Sequence, residues 1–169
     1  MKIAGTRPGE RAAIGALYPR AFPDEDLTGL VAALLAHPDV LNLTAHAGET
    51  VAGHAAFTRC RLEGRSETAA LLGPLCVDPD HQRQGLGRAL IEAGAERLAR
   101  EGASELLVLG DPAYYGALGF DAPAGIAAPY DLKPEWAEAW RSMRLGDAPR
   151  ISGARLIVPE PWRDAALWA

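Results

Sequence analysis

The residues with the clearest chemical potential are Gln82-Arg83-Gln84-Gly85-Leu86-Gly87, with Arg88 next in the chain. They follow an apolar run ending at Leu75-Cys76-Val77 and open a segment of helical periodicity. A strand that feeds a glycine-containing loop at a helix N-terminus presents backbone N–H groups with no partner inside the helix, and the helix dipole adds partial positive charge there. Glycine at 85 and 87 lets the backbone approach a ligand closely. Arg83 and Arg88 supply guanidinium groups, which pair well with phosphate oxygens. The chemistry that fits is retention of a pyrophosphate. Two phosphate-loop spacings are excluded. Leu90 stands where a dinucleotide-binding Gly-x-Gly-x-x-Gly needs its last glycine, and the Gly-Lys-Ser/Thr ending of a nucleoside-triphosphate loop is missing. Taken alone, the stretch fits a plain glycine turn before a helix as well as it fits a phosphate cradle.

A second stretch, Tyr115-Gly116-Ala117-Leu118-Gly119-Phe120, has the form Tyr-x-x-x-Gly-Phe and follows one expected helix and one expected strand later. With both motifs in this order, the sequence resembles the GNAT superfamily of acyl-CoA-dependent N-acyltransferases. The resemblance covers residues 2–120 in element order and is sharpest over 71–120, and the run Leu109 to Gly116 is similar to a bacterial branch of acetyltransferases. It implies acetyl-CoA as co-substrate and no metal. Leu75, Cys76 and Val77 would splay from the neighbouring parallel strand and pair their backbone with pantetheine. Gln82, Arg83, Gln84, Gly85, Leu86, Gly87 and Arg88 would hold the pyrophosphate. Tyr115 would be the catalytic acid that gives a proton to the departing CoA thiolate, since a phenol is protonated at neutral pH. The implied reaction is direct attack of a primary amine on the thioester in a ternary complex. The acceptor would be a small-molecule amine or a peptide amine, and the protein a monomer or homodimer. A competing class is an acyl-CoA-binding regulatory module of the same fold without turnover. One departure stands out: relatives often carry asparagine before the short helix, where this chain has Gly110-Asp111-Pro112.

The attacking amine must lose a proton, so a base or a water path is needed. No carboxylate lies in the apolar part of the strand at 69–77. Glu25, Asp26, Glu63, Glu67 and His54 are the candidates. Each also reads as a solvated charge or, for His54, as a packed strand residue. Cys76 reads as a small buried apolar residue in preference to an acyl-carrying nucleophile, and Tyr114 as core or the wall of a ligand pocket.

The elements that must position these residues follow from periodicity. Residues 2–6 read as a first strand. Arg11 to Ala21 reads as a helix that Pro19 ends or bends. Pro23-Asp24-Glu25-Asp26 reads as the start of a second helix, with Leu27, Leu30, Val31, Leu34 and Leu35 as its apolar face and His37 at its C-terminus. Alternation over Val40 to His46, a turn at Ala47-Gly48-Glu49-Thr50 and a return over Val51 to Arg61 predict a hairpin. Ala69 to Asp78 completes a meander and, being apolar throughout, should be central. Gly85 to Arg100 is the clearest helix, with Gly87, Leu90, Ile91, Gly94 and Leu98 on one face and Arg88, Glu92, Glu96 and Arg100 as a charged stripe. Ser104 to Leu109 then returns as a strand parallel to Ala69–Asp78. A short helix spans Ala113 to Leu118, an extended piece begins at Phe120, and residues 121–134 are mostly irregular. Trp136 to Leu145 and Gly153 to Val158 read as the closing strands, before a tail carrying Trp162 and Trp168. The expected fold is α/β: a GNAT-like mixed, mostly antiparallel central sheet with a parallel splayed strand pair and flanking helices. It is expected to be a single domain over 1–169, with a core of 1–120 and C-terminal strands and tail over 121–169.

Composition narrows the classes. The chain has 169 residues, 49% hydrophobic and 23% charged, and a net charge of −5, which argues against a nucleic-acid partner. Of 17 basic residues only Lys2 and Lys133 are lysines. Cys60 and Cys76 form no C-x-x-C, and His37, His46, His54 and His81 are scattered, so no zinc site is expected. The first residues lack the apolar core of a signal peptide, and no run of about 18 apolar residues occurs. A cytoplasmic protein with no membrane partner is expected.

Overall fold

The structure, a computed structural model, describes residues 1–169. Eight strands and four α-helices alternate along the chain: β1 (Lys2–Gly5), α1 (Arg11–Ala21), α2 (Thr28–Ala36), β2 (Val40–Ala47), β3 (Thr50–Leu62), β4 (Thr68–Val77), α3 (Leu86–Arg100), β5 (Glu105–Leu109), α4 (Pro112–Ala117), β6 (Ala122–Pro123), β7 (Trp140–Arg144) and β8 (Leu156–Ile157). The result is a mixed, mostly antiparallel 8-stranded sheet with a parallel β4–β5 pair and flanking helices. The chain gathers into two compact units, Met1–Phe57 with Gly73–Gly94, and Thr58–Leu72 with Ala95–Ala169.

In the first unit the strand order is β1-β2-β3-β4, and β1 runs antiparallel to β2 with Ile3 opposite Ala45. Ile14, Leu17 and Tyr18, spaced to share one face of α1, bury against Val31 of α2 and Cys76 of β4. Pro19 lies inside α1 instead of ending it. It stands within the last turn, which closes with the Phe22 N–H donating to the Tyr18 carbonyl at 2.8 Å. The second helix begins later than the acidic run suggests. Asp26 Oδ1 accepts from the Thr28 N–H at 3.1 Å, so the carboxylates lie ahead of the helix and one of them closes the turn that leads into it. His37 ends α2, as its position suggests. Gly94 of α3 faces Phe57 so closely that a Cβ there would lie 2.2 Å from the ring. The small residue is what lets helix and strand close together.

In the second unit the order is β3-β4-β5-β7-β6, with β8 paired to β3. The parallel register joins Ala69–Leu72 to Glu105–Val108, and Leu106 and Leu107 are both fully buried, as an apolar strand covered on both faces requires. The expected strand over Trp136–Leu145 is shortened to Trp140–Arg144. Pro134, with fixed φ and no N–H to lose, opens a 3₁₀ helix over Pro134–Ala139 in its place. The last strand is reduced to Leu156–Ile157, opposite Arg61 and Leu62. The tail packs through its tryptophans. Trp162 Nε1 donates to Thr58 Oγ1 at 3.0 Å, Trp168 Nε1 donates to the Trp162 carbonyl at 3.1 Å, and Trp168 is 2% exposed. The buried Glu105 carboxylate accepts from the Ser142 hydroxyl and from the Ile151 N–H, holding the segment before β8. No helix is long and apolar enough to cross a membrane.

Candidate active site

The candidate phosphate-holding stretch belongs to the first unit and starts at the end of β4. Pro74 gives this stretch a residue without a ladder donor, and the Gly73–Pro74 peptide is cis. Leu75 and Val77 are half-buried, and Cys76 is buried. The Cys76 carbonyl lies 3.0 Å from where a Cβ on Gly53 would be, so β3 and β4 meet at a position that leaves a side chain little room. Burial, with a smaller contribution from Asp78, pushes the Cys76 thiol up to about 12. It stays protonated at neutral pH, which fits the packing role expected from the sequence.

A turn after β4 carries the chain into the loop, and side chains outside the motif hold it. Asp78 Oδ1 accepts from the Asp80 N–H at 2.9 Å, while Asp78 Oδ2 accepts from Arg20 Nη1 at 2.7 Å. Arg20 also reaches Asp80 at 3.1 Å. Arg20 and Asp78 therefore anchor the loop to α1. No periodicity or motif marks them along the chain, because 58 residues separate the two partners. Gln82 donates from its side chain to the Val77 carbonyl at 3.3 Å, bracing the loop against the end of the strand.

Arg83, Gln84 and Gly85 are exposed, and the backbone turns left-handed at Arg83 (φ 63°) and Gly85 (φ 82°). Nothing approaches within 4 Å of a Cβ position on Gly85, so its outer face is open to a ligand. Leu86 and Gly87 are buried at the start of α3, whose first-turn N–H groups lack intrahelical partners. Arg88 is exposed beside them and lies 3.9 Å from Glu92. An open, left-handed glycine, a helix N-terminus and two exposed guanidinium groups are the donor set a pyrophosphate needs.

The Tyr-x-x-x-Gly-Phe motif belongs to the second unit. Asp111 caps α4 by accepting from the Ala113 N–H at 2.9 Å, and the Tyr115 N–H bonds the Asp111 carbonyl at 3.0 Å. Gly119 (φ 104°) turns the chain back, and the Phe120 N–H donates to the Tyr115 carbonyl at 3.0 Å. The Tyr115 ring meets Phe120 edge-on at 5.6 Å and Tyr114 at 5.0 Å. Burial, then the neighbouring Tyr114, push the Tyr115 phenol up to about 12. Tyr114 itself is 47% exposed and is not core, because α4 is too short to bury both faces.

Asp26, Glu67 and His54 among the base candidates are engaged elsewhere. Glu25 and Glu63 are exposed, Asp26 accepts from the Thr28 N–H just before α2, and Glu67 pairs with Arg65, whose hydrogen bond draws its carboxyl below the usual range. His54 is fully buried. Asn42 Nδ2 donates to the Leu34 carbonyl, so its Oδ1 accepts from His54 Nε2–H at 2.9 Å. That leaves His54 Nδ1 to accept the Tyr18 hydroxyl proton at 2.7 Å. Burial pulls the His54 imidazole down to about 4. No group of three or more His, Cys, Asp or Glu comes together as a metal-binding cluster.

The model of the family described as the acetyltransferase (GNAT) family matches residues 11–120. The chain belongs to this family. An uncharacterized N-acetyltransferase of Escherichia coli (strain K12), YjhQ, is 33% identical over 157 residues, 88% of this chain and 86% of its own. Among solved GNAT structures, the N-acetyltransferase YhbS of Escherichia coli in complex with CoA is 27% identical, with a TM-score of 0.83 over 96% of this chain and 92% of that one. A GNAT-family acetyltransferase from Brucella melitensis in complex with acetyl-CoA is 26% identical, with a TM-score of 0.75 over 95% of this chain and 97% of that one. The mixed sheet with its parallel β4–β5 pair is thus the GNAT fold expected from the two motifs.

Proposed function

We propose that this GNAT protein, a single domain of 169 residues, transfers an acetyl group from acetyl-CoA to a primary amine by direct attack in a ternary complex. The observation that carries the reading is the exposed, left-handed loop at Arg83–Gly85 opening onto the N-terminus of α3. In this reading the N–H groups of residues 83–88, with Arg83 and Arg88, hold the pyrophosphate, and Gln82 keeps the loop in register. Leu75, Cys76 and Val77 offer backbone groups to pantetheine. The buried, protonated Cys76 thiol favours direct attack over an acyl-cysteine step. Tyr115 is the acid: its phenol keeps its proton at working pH and delivers it from Oη to the leaving sulfur as the C–S bond breaks, while the attacking nitrogen gives up its proton through a water path. The acceptor is a small-molecule or peptide amine, with no metal, nucleic acid or membrane required, and the protein acts in the cytoplasm as a monomer or homodimer.

Isothermal titration with CoA and acetyl-CoA, followed by thiol release across an amine panel, tests this. Binding to wild type and its loss in Gly85→Glu, which puts a side chain and a like charge into the open loop, are expected. Wild-type affinity in that variant removes the loop as the site. Binding without thiol release on any amine favours an acyl-CoA-binding module over an enzyme.

A further inference from the structure

Gly110 is the first residue after β5. Its φ is not left-handed, unlike that of Gly119, so the backbone does not need a glycine there. The space does. A Cβ built on Gly110 would lie 2.4 Å from Cε2, 2.8 Å from Cδ2 and 3.5 Å from Cζ of Tyr115. The aromatic ring occupies the place of the missing side chain.

Neither partner can retreat cheaply. The Gly110 N–H is bonded to the Ala139 carbonyl at 2.9 Å, which ties this backbone to the residue before β7. The Tyr115 backbone is held at both ends, by its N–H to Asp111 and by its carbonyl, which accepts from Leu118 and Phe120 at 3.0 Å each. Tyr114 and Phe120 close on the ring edge-on. We propose that Gly110 is the positioning residue for the Tyr115 hydroxyl: by having no side chain it provides the seat for the ring, and the bonded backbone at 110 and 115 fixes where Oη points. This rests on the reading of Tyr115 as the acid. A methyl at 110 forces the ring to move by about 1 Å to regain van der Waals contact, and a displacement of that size at a reacting group costs up to about 100-fold in rate.

The test is a kinetic cycle of wild type, Gly110→Ala, Tyr115→Phe and the double variant, using acetyl-CoA and the best amine of the panel. Gly110→Ala is expected to lower kcat by about 10- to 100-fold in wild type and by less than about twofold in Tyr115→Phe, with KM for acetyl-CoA nearly constant. An equal loss in both backgrounds overturns the inference, as does an active Gly110→Ala beside an impaired Tyr115→Phe. Full turnover in Tyr115→Phe is a different result: it removes the acid role, and the positioning role falls with it. If Gly110→Ala does not fold, it is compared by thermal unfolding with Gly110→Ala/Tyr115→Ala. Removing the ring should restore folding, and a double variant as unfolded as the single one overturns the inference.

Discussion

The buried His54 is expected to make this protein acid-sensitive between pH 6.5 and 4. An ordinary imidazole titrates near 6.5, whereas burial holds His54 at about 4 in the folded chain. Between those values the unfolded chain binds a proton that the folded chain refuses. Stability therefore falls as pH drops from 6.5 toward 4 and levels off below it. The gap corresponds to about 3 kcal/mol, at a slope of no more than about 1.4 kcal/mol per pH unit. That is a large part of the 5–15 kcal/mol typical of a folded domain. The other strongly shifted acid-side group acts lower. Burial would raise the Glu10 carboxyl, but hydrogen bonds from the Arg7 N–H, from His46 and from the Arg7 side chain outweigh it and draw it to about 2, so its contribution is lost between 4.5 and 2. Urea unfolding at intervals from pH 7.5 to 4.5 isolates the His54 window. His54→Gln keeps a donor toward Asn42 and an acceptor toward Tyr18 while removing the titration, and its stability should be flatter across this range. A wild-type curve that is flat between pH 6.5 and 4.5, or an identical slope in His54→Gln, refutes the buried, neutral imidazole.

Two further outcomes follow from packing. Gly94→Ala gains about 1 kcal/mol of helix propensity but places a methyl within 2.2–2.6 Å of three Phe57 ring atoms, so a net loss of about 1–2 kcal/mol in urea unfolding is expected; a net gain means the ring has room to move. Cys76→Ala should keep turnover within about threefold of wild type, since the thiol is protonated and buried. A loss of more than about 100-fold in thiol-release assays, with folding intact, refutes direct attack.

Much of the candidate site was legible because its signals are local. Gly85 and Gly87 sit at fixed offsets from Gln82, the periodicity of α3 is strong, and Tyr115 stands four residues before Gly119. Local backbone chemistry writes such features directly into the chain: a left-handed turn selects glycine, and an apolar continuous run selects a strand covered on both faces. The boundaries read less well where one residue carries two meanings. Asp24, Glu25 and Asp26 look like a helical first turn, yet the Asp26 side chain completes a turn before the helix. Trp136 looks like part of a strand, yet Pro134 starts a 3₁₀ turn.

By itself, then, the sequence determined the element order, the parallel return of β5 and the loop that suits a pyrophosphate. Only the tertiary structure decided which side chains hold that loop and the Tyr115 ring in place. Arg20 anchors Asp78 from 58 residues away, His54 is locked between Tyr18 and Asn42, and the Tyr115 ring lies in the space that Gly110 leaves. Such pairings join residues that folding alone brings together, across turns whose geometry depends on packing, so no spacing along the chain encodes them.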